Sequence, residues 1–231
     1  MLDKAFEALK TYHWGQDRKL VKPIDDAVIA TRGDAAARKK LEARLAAVLT
    51  TNAPYDAKQY VCRKLMIVGT AVSVPTLAGL LTDKKLSHMA RFALERIPAP
   101  EAGQAIRDAL SRVNGELKIG MISSLGVRGE AAGVAPLGAL LGHKDCAVAT
   151  AAAHGLGAMG SPAASEALAA GKPTDEMKAT IADASLACAE KLLAAGNKAA
   201  ALKTYERLLA SGPSEMVRVA AKRGKTACTG T

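Results

Sequence analysis

The sequence predicts an all-α fold in which antiparallel helix pairs stack into a right-handed α-α superhelix, a solenoid. Three observations predict it: an alanine-rich composition with only 3% aromatic residues in 231, a helix-stop pattern that recurs along the chain, and a second helical pattern after each stop. Alanine is the best helix former, and the scarcity of aromatic and β-branched runs leaves little material for strands. An apolar content of 49% argues against disorder.

The stop pattern is an aliphatic residue, two variable residues, a second aliphatic residue, and then Gly or Pro. It occurs at residues 65–69, 94–98, 122–126 and 156–160, so the steps are 29, 28 and 34 residues. Aliphatic residues three apart share one helix face, and Gly or Pro directly after them ends a helix. The pattern therefore predicts four helices that end at Gly69, Pro98, Gly126 and Gly160.

A second helical pattern follows each of these stops. Its apolar positions fall within residues 74–81, 106–110, 134–141 and 162–168. Pro75, Pro136 and Pro162 suit a first helical turn, where a missing N–H costs little. The repeating unit is thus a helix pair of about 30 residues, which buries its apolar face only when neighbouring pairs stack on it.

Two segments, residues 68–77 and 151–160, resemble HEAT repeats of the bacterial type. In that family the second helix ends in a Leu-Gly-x-Ile-Gly-like stop and the next helix opens toward Val-Pro-x-Leu. The resemblance covers about residues 34–170 and implies a HEAT or armadillo-like solenoid. Arrays of this family are mostly binding scaffolds, and a few are enzymes or enzyme partners.

The two ends of the chain depart from the repeat, although we expect one continuous solenoid. Residues 1–33 predict an N-terminal cap with Trp14 packed beneath it, before the array of residues 34–170. Residues 171–231 predict further helices, a partial tetratricopeptide-like pair and the start of another repeat. That pair is indicated by Ala189, Leu192, Gly196, Ala201, Tyr205 and Pro213. The polar residues 222–231 predict a truncated array or a weakly packed last helix.

Motifs for catalysis, metal binding and cofactor binding are missing from the sequence. No two histidines stand four apart, and none precedes Glu, as in the His-Glu motifs of HEAT-type iron hydroxylases such as deoxyhypusine hydroxylase. Gly155, Gly157 and Gly160 predict a helix cap and not a phosphate loop. Asp25 and Asp26 are expected at the start of a helix, and His154 is expected in the protein interior. We therefore expect a non-enzyme with no catalytic residue, metal or cofactor.

The net charge of +10 is spread over most of the chain, as on an ordinary solvated surface. Arg63, Arg91 and Lys118 fall two to four residues before a core aliphatic position in successive helices, and Lys64 and Arg96 extend the set. Second helices line the concave side of HEAT solenoids, so the resemblance implies a basic, partner-binding stripe there. An ordinary solvated helix face is the alternative.

The function these observations favour is a scaffold that binds protein. The alternatives are nucleic-acid binding through the basic stripe, as in HEAT-like DNA glycosylases, and a helper role like that of HEAT-type bilin lyases. No run of about 18 apolar residues predicts a membrane span. The four cysteines show no CxxC spacing, and the first residues do not form a signal peptide, so a complete chain is expected in the cytoplasm.

Overall fold

The structure, a computed structural model, describes residues 1–171 and 174–230. Residues 172 and 173 lie outside the described residues, as does residue 231, the last residue of the predicted polar tail. The described residues form helices and no strand, which confirms the all-α class. The helices are α1 Leu2–Ala8, α2 Lys22–Ala30, α3 Ala35–Leu49, α4 Tyr55–Val68, α5 Val74–Ala78, α6 Ser87–Arg96, α7 Pro100–Leu110, α8 Gly115–Arg128, α9 Val134–Ala139, α10 Cys146–Met159, α11 Pro162–Ala170, α12 Lys178–Ala194, α13 Lys198–Ala210 and α14 Glu215–Thr229.

The chain divides into two compact units, Met1–Val113 and the residues from Asn114 onward. In the first unit α1 packs on α2 and α3 packs on α4; α4 then packs on α6, and α5 packs on α7. Successive helix pairs therefore stack in two rows, as the periodicity predicts. Leu65, Leu77, Leu94 and Ile106 are fully buried in this core. The domain boundaries expected at residues 33 and 170 stay predictions.

A buried carboxylate fixes the start of α5. Glu42 on α3 is only 1% exposed. Its Oε1 accepts hydrogen bonds from the backbone N–H of Thr70 at 2.7 Å and of Ser73 at 3.1 Å, and the Thr70 hydroxyl donates to Oε2 at 2.9 Å. These bonds hold the two ends of a 3₁₀ turn, the N-cap Thr70 and Ser73 of Ala71–Ser73, which leads into the helix.

The second unit has the same two-row arrangement with longer helices. One row consists of α8, α10, α12 and α14, and the other of α9, α11 and α13, with contacts between neighbours in each row. Each helix pair turns through a short connection, and α9 follows a 3₁₀ turn as α5 does. Met121, Leu137, Leu156 and Tyr205 are fully buried in this core.

Three of the four predicted helix ends are confirmed. α4 ends at Val68 before Gly69, and α6 ends at Arg96, two residues before Pro98. α10 ends at Met159, where Gly160 has a left-handed φ of 58°. The end predicted at Gly126 is wrong, because α8 continues to Arg128 and is capped by Gly129.

Gly126 serves helix packing and not helix termination. A Cβ on it would lie 2.9 Å from the Cα of Gly155 on α10, so the two backbones approach more closely than side chains allow. Gly155 and Gly157 also lie inside α10, and a Cβ on Gly157 would lie 2.8 Å from the carbonyl oxygen of Ala184 on α12. The cap expected of three glycines is therefore formed by Gly160 alone.

The C-terminal helix is longer than the polar sequence suggests. It packs on α12 and α13 and continues through the polar residues to Thr229. Val217 and Ala221 are buried, and Gly224 leaves room for the Tyr205 ring. Met216 and Val219 on the same helix remain exposed. The pair α12 and α13 turns at Gly196, but its tetratricopeptide-like character stays a prediction.

Candidate functional site

The three residues of the predicted basic stripe lie on three different helices, α4, α6 and α8. Arg63 on α4 is exposed, whereas Arg91 on the neighbouring α6 is half-buried. Burial lowers the pKa of the Arg91 guanidinium, although nearby Glu95 partly offsets this. Lys118 lies on α8, in the second unit, and is half-buried. The stripe itself stays a prediction, because only Arg63 and Arg91 share a unit.

Trp14 lies against the outside of α4 and not beneath a cap, so that expectation is wrong. Its side chain is 43% exposed. The indole Nε1 donates to Gln59 Oε1 at 2.6 Å, and the backbone N–H donates to Asp56 Oδ2 at 3.1 Å. Its ring lies edge-on to Tyr12 at 5.7 Å and to Tyr60 at 6.5 Å between centroids. Polar partners on α4 therefore hold the ring at the surface, because the indole satisfies its N–H there.

Asp25 has a tertiary role besides its place in the first turn of α2. It accepts hydrogen bonds from the Tyr60 hydroxyl at 2.7 Å and from Lys64 Nζ at 2.6 Å. Desolvation alone would raise the pKa of Asp25, but the bonds from Lys64 and Tyr60, with the charge of Arg18, hold it below its ordinary value. Because Lys64 is engaged here, it does not extend a free basic stripe.

His154 differs from Cys62 and Cys188 in burial, since only the two cysteines are buried. His154 is exposed on α10, so the expectation of an interior histidine is wrong. Burial raises the pKa of the Cys62 thiol to about 12 and that of Cys188 to about 11, which makes both poor nucleophiles. No group of three or more metal-ligating side chains occurs among residues 1–171 and 174–230.

Within the described part of the chain, no helix combines the length and the apolar composition that crossing a bilayer requires.

A groove of about 970 Å³ opens in the second unit. Its walls are α11 and α13, and its floor is the N-terminal half of α12. The apolar lining includes Leu168, Ala182, Leu208 and Val217. The volume lies within the range that ligand pockets commonly have. No pattern in the sequence indicates this groove, because its width depends on how far apart two helices stand.

A polar bridge joins the two walls of the groove. The hydroxyls of Ser165 on α11 and Thr204 on α13 are 2.6 Å apart and buried. Beside them, Glu166 accepts from Lys203 Nζ at 2.9 Å and pairs with Arg207 Nη2 at 2.8 Å. Hydrogen bonds from Arg207 and Lys203 lower the pKa of the exposed Glu166 carboxyl to about 2. In the sequence, the only indication of the Ser165–Thr204 contact is that each is a small polar residue on an otherwise apolar helix face.

Charged groups at the rim are mostly paired with each other. Lys178 pairs with Asp175 at 2.7 Å, and this lowers the pKa of the aspartate. Asp183, also in the lining, is exposed and forms no ion pair with any described residue. The described lining residues therefore offer apolar surface together with the exposed carboxylate of Asp183.

Residues 103–186 match a family model for HEAT repeats. The match covers the helices from α7 into α12 and supports HEAT-type repeats in this part of the chain. The bacterial subtype stays a prediction.

Two solved structures are similar to the chain at low identity. An engineered protein is 19% identical over 99% of this chain and 96% of that chain, with a TM-score of 0.41. Human deoxyhypusine hydroxylase, solved in complex with glycerol, is 15% identical over 100% of this chain and 96% of that chain, with a TM-score of 0.38. No curated protein sequence matches the chain.

Proposed function

We propose that the chain is a non-enzymatic helical-repeat scaffold that binds a segment of another protein in the groove between α11 and α13. The groove is the observation that supports this function. Its apolar floor fits aliphatic side chains, and Asp183 fits a lysine or arginine of the bound segment.

The scaffold interpretation rests on the kind of surface, since repeat arrays present extended faces to partners. The groove lies between neighbouring helices of one row, so a bound segment would contact several helices at once. Among the described lining residues, the hydroxyls of Ser165 and Thr204 are hydrogen-bonded to each other, and the carboxylate at the wall, Glu166, is already held by two cations. Acid–base or nucleophilic catalysis would need a nucleophile beside an available base within hydrogen-bond reach of a substrate.

Two matched variants on α12 test the groove. Ala182→Arg places a large side chain on the floor, whereas Ala187→Arg places the same side chain on an exposed position outside the lining. Peptides selected on the purified protein from a displayed random library are titrated against both. We expect Ala182→Arg to weaken binding by at least about tenfold and Ala187→Arg to leave it unchanged. Equal binding by the two variants would remove the groove as the site.

Nucleic-acid binding is the second candidate, and the net charge of +10 favours it. Phosphate contacts dominate such binding at low salt. Fluorescence anisotropy with labelled duplex DNA at about 50 mM salt tests it directly. A measurable affinity that falls steeply as salt is added would support this function, and the absence of affinity under these conditions would exclude it.

A further inference from the structure

The exposed indole of Trp14 is part of a second surface, far from the groove in sequence and confined to the first unit. We name it the Trp14 surface, and it consists of His13, Trp14, Tyr55, Gln59 and Arg63. The three α4 residues among them are spaced four apart and so lie along one face of that helix. Two of them, Gln59 and Arg63, contact the indole directly.

The indole is fixed in place before any partner arrives. Both its own N–H and the backbone N–H of Trp14 are bonded to α4 side chains, and Tyr12 supports the ring from beneath at 1% exposure. A rigid exposed tryptophan loses little entropy on binding, which is why Trp and Tyr are enriched at interface hot spots. Tyr55, 44% exposed, lies one helical turn before Gln59 on the same face of α4.

The Trp14 surface carries one fixed positive charge, the guanidinium of Arg63. The carboxylate of Asp56 lies at its other end, where it accepts from the Trp14 backbone N–H and lies 3.4 Å from His13 Nδ1. Arg63 lies over the indole ring at 5.7 Å, is exposed, and forms no ion pair with any described residue. A guanidinium stacked on an aromatic ring keeps its N–H groups free for a bidentate carboxylate.

We propose that the Trp14 surface binds an acidic protein segment, with a carboxylate on Arg63 and an adjacent large apolar side chain on Trp14 and Tyr55. Aromatic and arginine residues are the types enriched in protein interfaces, and the complementary sign of charge selects an acidic partner. This site is independent of the groove in α11–α13, so either can fail without the other.

Trp14 is the single tryptophan of the chain, so its fluorescence reports on this surface alone. The probes are synthetic peptides in which Glu alternates with Leu, and matched peptides with Gln in place of Glu. We expect a saturable change in Trp14 emission with the Glu peptides. We also expect about tenfold weaker binding by Arg63→Ala, with no change for Arg32→Ala, which removes an exposed arginine elsewhere in the same unit.

Circular dichroism confirms that each variant is folded, and calorimetry on the unaltered protein gives a second measurement of the affinity that does not depend on Trp14 emission. Equal affinity for the Glu and Gln peptides, unchanged binding by Arg63→Ala, or no saturable change in emission would each overturn the proposal. Tighter, salt-sensitive binding of an oligothymidylate that is lost in Arg63→Ala would also overturn it, because the surface would then serve single-stranded nucleic acid.

Discussion

At the scale of single residues, the polar groups that matter most are those that join helices distant in sequence. Glu42 is the clearest case, because a carboxylate at 1% exposure is retained only when hydrogen bonds replace its water. Its acceptors serve the backbone of a segment about 30 residues later. A buried acid on a helix rich in lysine and arginine gives no sign of this in the sequence.

Glu42→Ala should lower the free energy of unfolding by roughly 2 kcal/mol, because the Thr70 N–H loses its acceptor and the Ser73 N–H keeps only the Thr70 carbonyl oxygen at 3.2 Å. Glu42→Gln retains one acceptor oxygen and should cost about 1 kcal/mol. Urea denaturation followed by circular dichroism measures both. Glu7→Ala, at a side chain 68% exposed, is the control. A Glu42→Ala protein as stable as this control would contradict the capping role.

Asp25 should make stability depend on pH in the acidic range. Its folded-state pKa lies below the ordinary value of an aspartate, so its contribution is complete at neutral pH and is lost as the pH falls through the folded-state pKa. Asp25→Asn should therefore cost roughly 1–2 kcal/mol at pH 7, with the difference from wild type shrinking in acid. Thermal melts across this pH range measure the effect of Asp25→Asn, with Asp26→Asn as the control. Asp26 forms only an exposed ion pair with Lys22, which contributes little to stability. A pH-independent difference would show that the charge of Asp25 is not involved.

At the scale of helices, glycine sets the distance between neighbours in the row of the second unit that consists of α8, α10, α12 and α14. Gly126 and Gly155 bring α8 and α10 together backbone to backbone, and Gly157 does the same for α10 and α12. Alanine and glycine faces permit such approach, which explains how so few aromatic residues suffice for a packed core. The same helices carry no long side chain at these positions.

Gly126→Ala should destabilise the protein by roughly 1–3 kcal/mol, since the added methyl would overlap the backbone of α10 and the helices must separate. Gly138→Ala on α9 is the matched control, because a Cβ there meets Ala167 at an ordinary 3.5 Å. The control should be neutral or more stable by up to about 1 kcal/mol, from its better helix propensity. Differential scanning calorimetry compares them, and equal melting temperatures would contradict the close approach.

At the scale of the whole chain, each of the two units has a buried core of its own. Residues such as Leu65 and Leu94 are buried in the first, and Leu156 and Tyr205 in the second. A unit that buries its own apolar surface has the main requirement for folding alone.

We therefore expect residues 1–113 and residues 114–231, expressed separately, each to be helical and to melt cooperatively. Far-ultraviolet circular dichroism and thermal melts of the two fragments measure this. The full chain under the same buffer conditions is the reference. A fragment that is unfolded, or that loses its helical signal without a transition, would show that the core of that unit is incomplete by itself.

The sequence by itself determined the fold class, the order of the helix pairs and most of their ends. These follow from local rules: apolar spacing along a helix of 3.6 residues per turn, Pro in a first turn, and Gly at an end. Residues 65–69 and 156–160 obey those rules within a single helix, so no distant contact was needed to interpret them correctly.

Only the tertiary structure decided the role of residues whose partners are distant. Gly126 has the sequence context of a stop, and the backbone of α10 makes it a packing residue instead. Trp14 became a surface residue because Asp56 and Gln59 hold it on the outside of α4. The groove lies between α11 and α13, which the Ser165–Thr204 hydrogen bond and the Glu166 ion pairs join across separate segments. Distances between helices depend on side chains from separate segments, and a linear pattern does not encode them.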